Sequence, residues 1–243
     1  MMKSFINRKL FNFIQISTNL NNHKFADIIP GCGQKTSQRL QHTKRIKCWK
    51  CGIEKQNIYD LFCPQCRIIQ SPEDKHNYFK LLQQDEIYDV DLKILRDKYR
   101  HLQSVLHPDK FSNKSAEEKN ISENFSSLVN KAYDIVQSPL KRAIHLLNLK
   151  GEKIREDEKI DDPKFLMNIM ELNEQVTNAS NADELKALNI SNKKTLELLE
   201  RKISEYFREN DLVNVKYCII ELRYYNSISL LINKIMREKG IVE

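Results

Sequence analysis

Apolar residues recur at helical spacing along most of the chain. Leu92, Leu95, Tyr99, Leu102 and Leu106 advance by 3, 4, 3 and 4 residues, which places them on one face of a helix. Asp91 precedes them as an N-cap. Pro108 disfavours helical backbone at His107, so the stripe predicts a helix that stops at Leu106-His107-Pro108-Asp109. Its other face holds Lys93, Arg96, Lys98, Arg100 and His101. A polar loop follows, Lys110 to Lys114, and then Ser115 with Glu118 three residues on, the signature of a capping box. Phe125, Leu128, Val129, Ala132, Tyr133 and Val136 form the next stripe. Two such helices predict an antiparallel hairpin, preceded by a short helix over His76 to Leu82.

Beyond Gly151 and the charged run Glu152–Lys159, read as a linker, Asp161-Asp162-Pro163 opens another helix with an acidic cap and proline in the first turn. At roughly 100° per residue from Phe165, Ile169, Leu172 and Val176 stay within one stripe. Leu166, Met167 and Met170 fall nearly opposite, edged by Glu171 and Glu174. A surface helix needs one apolar stripe, so the second, rich in adaptable methionine, predicts a partner site; a helix buried on both sides is the bland alternative. Further helices are predicted over about 193–208 and 212–237, and the three make an up-down bundle. The fold class is mainly α.

Composition removes several functions. Only five glycines occur, none between Gly52 and Gly151, so Walker and G-x-G-x-x-G phosphate loops are excluded. No apolar run reaches the ~18 residues of a membrane span. The net charge of +7 is concentrated: residues 1–50 hold ten basic residues and one acid, Asp27, and the other 193 hold 30 basic and 32 acidic residues. The folded body is therefore slightly acidic, which argues against nucleic acid as a partner. Residues 1–26 are basic, acid-free and amphipathic (Phe5, Ile6, Leu10, Phe13 and Ile14 against Lys3, Arg8 and Lys9). This reads as a mitochondrial presequence, with a plain basic tail as the alternative. Residues 27–46 read as linker.

Cys48-Trp49-Lys50-Cys51 and Cys63-Pro64-Gln65-Cys66 are two C-x-x-C pairs separated by eleven residues. Each pair bends into a knuckle, and two knuckles offer four thiolates to one tetrahedral ion. So small a segment gains its folding energy from the metal. Zinc is the expected ion, in a structural role because four cysteines fill its coordination; iron and redox thiols use the same residues. Tyr59, Leu61 and Phe62 are expected to form a small strand-rich layer. Cys32 and Cys218 are unpaired, the latter expected as a buried apolar residue in a helix.

The basic helix, His107-Pro108-Asp109, the polar loop and the second helix resemble a J domain. Leu128–Tyr133 followed by Ser138-Pro139-Leu140-Lys141-Arg142-Ala143 resembles, more specifically, the HscB family of iron–sulfur cluster co-chaperones. The two cysteine knuckles resemble the metal module of its animal-type and protist members. The resemblance spans roughly residues 48–238. It departs at His145, where the family has Tyr and where packing between hairpin and bundle is expected, and at Asn178, where an acid is replaced. It implies residues 1–45 as presequence and linker, 46–70 as zinc module, 74–148 as J domain and 158–240 as the bundle.

The resemblance further implies a non-enzymatic adaptor of the mitochondrial matrix that binds no nucleotide itself. His107, Pro108, Asp109, Arg96, Lys98 and Arg100 would engage a 70-kDa heat-shock (DnaK-type) chaperone and stimulate its ATPase. Leu166, Met167, Met170, Glu171, Glu174 and Tyr224 would bind an IscU-type iron–sulfur scaffold protein. Cys48, Cys51, Cys63 and Cys66 would hold the metal. Nucleic acid and membrane are not expected partners, and a homodimer is left open. Competing readings are a general J-protein for unfolded clients, a zinc-ribbon nucleic-acid binder and a C-x-x-C oxidoreductase; no thioredoxin-like βαβ pattern supports the last.

Overall fold

The computed structural model describes residues 47–55, 59–72, 74–155 and 158–241. The expected presequence and Cys32 lie outside the described residues. Two cysteine knuckles lead into α1 (Tyr78–Leu81), α2 (Leu92–Leu106), a 3₁₀ turn (Pro108–Phe111), α3 (Ala116–Gln137), α4 (Pro139–Leu149), α5 (Pro163–Asn178), α6 (Ala182–Glu209) and α7 (Leu212–Glu238). No helix among the described residues is long and apolar enough to cross a membrane.

The caps fall where the local chemistry places them. Asp91 accepts from the backbone N–H groups of Lys93 and Ile94. Ser115 and Glu118 complete a reciprocal capping box. Leu95, Leu102 and Leu106 of α2 are buried against Phe125, Val129, Ala132 and Val136 of α3, each leucine worth about 1.5–3 kcal/mol of burial. Tyr99 stacks on Tyr133 at 4.1 Å, and buried Ser122 of α3 donates to the Leu106 carbonyl at 2.7 Å.

Several expectations are revised. The first helix starts at Tyr78 and not at His76. The loop after His107 is in part a 3₁₀ turn, pinned by buried Phe111. Pro139 opens a separate helix, α4, that the periodicity does not announce. α6 begins at Ala182, eleven residues before the expected start. The layer around Tyr59, Leu61 and Phe62 contains no strand among the described residues; only the single bridges Lys47–Glu54 and Phe62–Ile69 form. His145 stacks on Tyr78 at 4.5 Å and Phe79 at 5.6 Å, and its Nε2 accepts the Tyr78 N–H at 3.2 Å. It thus packs on α1 within the hairpin domain. Cys218 is buried in α7 as expected.

One core runs from Ile69 through α1–α4 into Leu199, Ile203 and Phe207 of α6 and Val215, Cys218, Ile219 and Leu222 of α7. A second cluster, Val176, Ala179, Leu185, Ile228, Ile232 and Met236, closes the far end of the bundle. Phe165 meets Tyr224 edge-on at 5.4 Å while Val176 packs near Ile232 and Met236. α5 therefore runs parallel to α7, and α6 antiparallel to both, as an up-down bundle requires.

Candidate functional site: a metal centre and two exposed surfaces

The two knuckles repeat the same hydrogen bonds. Cys48 donates to the Ile53 carbonyl at 2.8 Å and Gly52 to the Cys48 carbonyl at 3.0 Å; Cys63 donates to Ile68 at 2.9 Å and Arg67 to Cys63 at 3.0 Å. Gly52 (φ +74) and Arg67 (φ +57) occupy the equivalent left-handed position in each, which glycine adopts without steric cost. Trp49 Nε1 donates to the Ile69 carbonyl at 2.7 Å and ties the first knuckle to the second.

All four sulfurs lie within 4.8 Å of one another, with Cys48–Cys66 at 3.7 Å and Cys51–Cys63 at 3.6 Å. A regular tetrahedron with metal–sulfur bonds of about 2.3 Å has edges of about 3.8 Å, so the four thiols fit such an ion. The surrounding donors suit thiolates at Cys48 and Cys63; at Cys66 the Ile68 N–H pulls the same way, but burial and the neighbouring cysteines outweigh it and push the thiol up to about 12. Lys50 N–H approaches Cys48 Sγ at 3.4 Å, and Cys66 N–H approaches Cys63 Sγ at 3.5 Å. Gln70, which pattern alone does not single out, is buried and donates Nε2 to Cys48 Sγ at 3.3 Å. Burial opposes ionisation of Cys48, yet the N–H groups of Cys51 and Lys50 outweigh it and bring the thiol down to about 6. The Cys66 N–H is the largest influence on Cys63 and lowers it as well.

The first exposed surface lies at the end of α2. His107 is its C-cap, with extended backbone, and Pro108 opens the 3₁₀ turn. His107 Nδ1 accepts the Asp109 N–H at 3.3 Å, and the Asp109 carboxylate is 3.4 Å from the same nitrogen. The His107 side chain is 57% exposed and that of Asp109 88%, so neither is held by the core. Arg96 and Arg100 are exposed four residues apart on α2. Lys98 differs from the other two: it is half-buried and donates Nζ to the Gln83 carbonyl at 2.5 Å.

The second exposed surface is the outer face of α5. Met167 and Met170 are 62% and 63% exposed, and Glu171 and Glu174 are exposed beside them. Leu166 and Tyr224 are half-buried, Tyr224 against Phe165. Ile169 and Val176 are fully buried, while Phe165 and Leu172 are only partly so. The two-stripe reading of α5 thus holds at Met167 and Met170, and Leu166 belongs partly to the packed side.

Residues 161–233 match the family described as "HSCB C-terminal oligomerisation domain". The chain is 34% identical over 187 residues to the "Iron-sulfur cluster co-chaperone protein HscB" of Homo sapiens, covering 75% of this chain and 79% of that protein. It is 33% identical over 178 residues to the HscB homolog of Arabidopsis thaliana, covering 73% and 69%. The crystal structure of the human co-chaperone HscB superposes with a TM-score of 0.72 at 35% identity, over 77% of this chain and 97% of that one. The helices, the knuckles and these likenesses agree: the chain belongs to the HscB family of iron–sulfur cluster co-chaperones.

Proposed function

We propose that this co-chaperone is an adaptor between a DnaK-type 70-kDa heat-shock ATPase and an IscU-type iron–sulfur scaffold protein, acting in the mitochondrial matrix. The observation that supports it best is the placement of two unspent surfaces on one compact unit, the exposed His107-Pro108-Asp109 turn and the exposed Met167–Met170 face. Residues 74–148 act as the J domain. Arg96 and Arg100 lead toward His107 and steer it to an acidic chaperone surface. Residues 158–240 hold the scaffold, with Leu166, Met167, Met170 and Tyr224 as apolar contacts and Glu171 and Glu174 as acidic ones. Binding both partners at once raises the effective concentration of scaffold at the chaperone.

Cys48, Cys51, Cys63 and Cys66 of the 46–70 module hold zinc, which when bound cross-links the two knuckles and stabilises their fold. Residues 1–45 direct the chain to mitochondria. The chain itself carries out no bond-making step. The test is single-turnover ATP hydrolysis by a DnaK-type chaperone with the full chain, the scaffold, or both. Stimulation is expected from the chain and further stimulation when the scaffold is present. Stimulation that the scaffold never alters would favour a general J-protein.

A further inference from the structure

Ile69 and Gln70 follow the second knuckle and divide between two environments. Ile69 pairs with Phe62 in a single bridge and enters the hydrophobic core. Gln70 donates its backbone N–H to the Leu61 carbonyl at 2.8 Å, and its side chain reaches the sulfurs. It is 2% exposed, and an amide buried so deeply must find partners. Its Nε2 meets Cys48 Sγ at 3.3 Å, the Ile68 carbonyl at 3.0 Å and the Ile69 carbonyl at 3.1 Å. Carbonyls only accept, and so does a sulfur bound to metal as thiolate. The amide nitrogen, and not its oxygen, therefore belongs at this position.

Four thiolates around a divalent ion leave an excess of negative charge on the sulfurs. Cys51 is exposed and shares its charge with water. Cys48 is 3% exposed and depends on protein donors. Lys50 supplies a backbone N–H at 3.4 Å; Gln70 adds a side-chain donor to the same sulfur. Cys48 belongs to the first knuckle and Gln70 follows the second, so this bond crosses between them. The Ile69 carbonyl also accepts Trp49 Nε1 at 2.7 Å. Trp49, Ile69, Gln70 and Cys48 thus form one hydrogen-bonded chain across the two knuckles.

We propose that Gln70 is a positioning residue of the metal centre: it stabilises Cys48 as a bound thiolate and holds the first knuckle against the second, so that the ion is retained. This role rests on the reading of the four cysteines as metal ligands, and it places part of the metal affinity outside the ligand set. Partners that orient ligands from behind are typically worth about 10- to 100-fold in affinity.

The test uses the full chain loaded with Zn²⁺ and, separately, with Co²⁺. Gln70→Met is close in volume but has no donor; Gln70→Asn keeps the amide and is one methylene too short to reach the sulfur. In competition with a chromophoric chelator, both variants should hold zinc about 10- to 100-fold more weakly than wild type. In the cobalt form the visible bands of tetrahedral sulfur coordination should persist, because all four ligands remain. The near-ultraviolet thiolate-to-cobalt band should move to longer wavelength, because a sulfur without its hydrogen bond gives up an electron more readily. Should Gln70→Met fail to assemble the site, Gln70→Asn decides. Wild-type affinity and band position in the variants overturn the proposal. Weaker zinc binding with an unmoved band makes Gln70 a packing residue and also overturns it. A wild-type chain that takes up neither ion defeats the metal reading itself, whereas wild-type uptake left unaltered by the variants defeats only the role of Gln70.

Discussion

The Arg142 guanidinium carbon lies 4.9 Å from the centre of the Tyr88 ring. Arg142 is buried near the start of α4 and donates to the Val136 carbonyl at 2.8 Å, closing the C-terminal end of α3 where carbonyls lack helical partners. Tyr88 in turn leans on Phe207 of α6 at 5.8 Å. One side chain thus joins the hairpin to the bundle. Arg142→Met should cost about 2–4 kcal/mol in urea unfolding, because it strands the Val136 carbonyl and half-buried Glu200. Arg142→Lys should recover little, since an ammonium does not reproduce the planar stack with its fork of donors. Burial already raises the Glu200 pKa against the pull of Arg142. In Arg142→Met that value should rise further, and the stability deficit should shrink as pH falls toward it. A variant as stable as wild type at neutral pH would remove Arg142 from the joint.

Asp89 makes the second tie. It accepts from Ser204 and, at 2.5 Å, from Arg208. Burial pushes its pKa up, but the hydrogen bonds from Ser204 and Arg208 and the charge of Arg208 outweigh this and hold it below the usual carboxylate range. A depressed carboxylate stabilises the fold above the unfolded value of about 3.9 and loses that contribution as pH falls through the folded value. Asp89→Asn should therefore lower stability by about 1 kcal/mol at neutral pH, the pair being half-exposed. The gap should narrow only below about pH 4. A gap that is flat down to strong acid would assign it to packing.

The cysteine module carries its own reporter. Trp49 is the one tryptophan in the chain, and its ring nitrogen is bound to the Ile69 carbonyl across the two knuckles. Chelation of the metal should separate the knuckles, so Trp49 emission should shift to the red. Far-UV circular dichroism should change little, because α2–α7 are packed by apolar contacts. Cys51→Ser should produce the shifted spectrum without chelator. Emission that stays fixed after full metal removal would mean the knuckles fold without it.

Much of this architecture was legible in apolar spacing and end signals. α2, α3, α5 and α7 each carry a stripe bounded by Asp91, Ser115, Asp162 or Asp211 as an N-cap. α6 defeats the same reading because Asn189 and Asn192 take inward positions, where an amide looks like a break in the stripe. α4 is hidden because Pro139 reads as a stop although it serves as the first residue of a helix. The metal ligands were legible from spacing, but Gln70 was not, since its link to Cys48 depends on the turn at Arg67 that brings it back over the sulfurs. Lys98 shared the basic face of Arg96 in the pattern, and only the fold reveals that it reaches Gln83.

His107 offers the sharpest test of the proposed chaperone surface. Its side chain is mostly exposed, and among the described residues its one side-chain hydrogen bond accepts the Asp109 N–H within the turn. His107→Gln should leave the free energy of unfolding within about 0.5 kcal/mol of wild type, as for other surface changes, and should abolish stimulation of the chaperone ATPase. Arg96→Ala with Arg100→Ala should weaken stimulation most at low salt, because exposed charges are screened over about 10 Å at 0.1 M. Lys98→Ala should act instead on stability. Full stimulation by His107→Gln would refute the J-domain assignment.

The proposed scaffold face, on α5, separates function from packing by degree of burial. Met167 and Met170 are exposed, so Met167→Ala/Met170→Ala should leave helicity and unfolding nearly unchanged. Leu166 is half-buried, and adding Leu166→Ala should cost about 1–2 kcal/mol of stability, part of a full leucine burial. If this face docks the scaffold, the triple variant should lose about 2–4 kcal/mol of binding, roughly 30- to 1000-fold, since a few apolar anchors dominate such interfaces. The double variant should account for most of that loss. Glu174→Lys should slow association with a basic partner more than it speeds dissociation. Calorimetry with an IscU-type scaffold, alongside circular dichroism, distinguishes the outcomes. Weak binding with intact helicity supports docking on α5. Lost helicity in the double variant would mean that the methionines hold the bundle together. Wild-type affinity in the triple variant would move the scaffold off this face and favour a co-chaperone that serves clients generally.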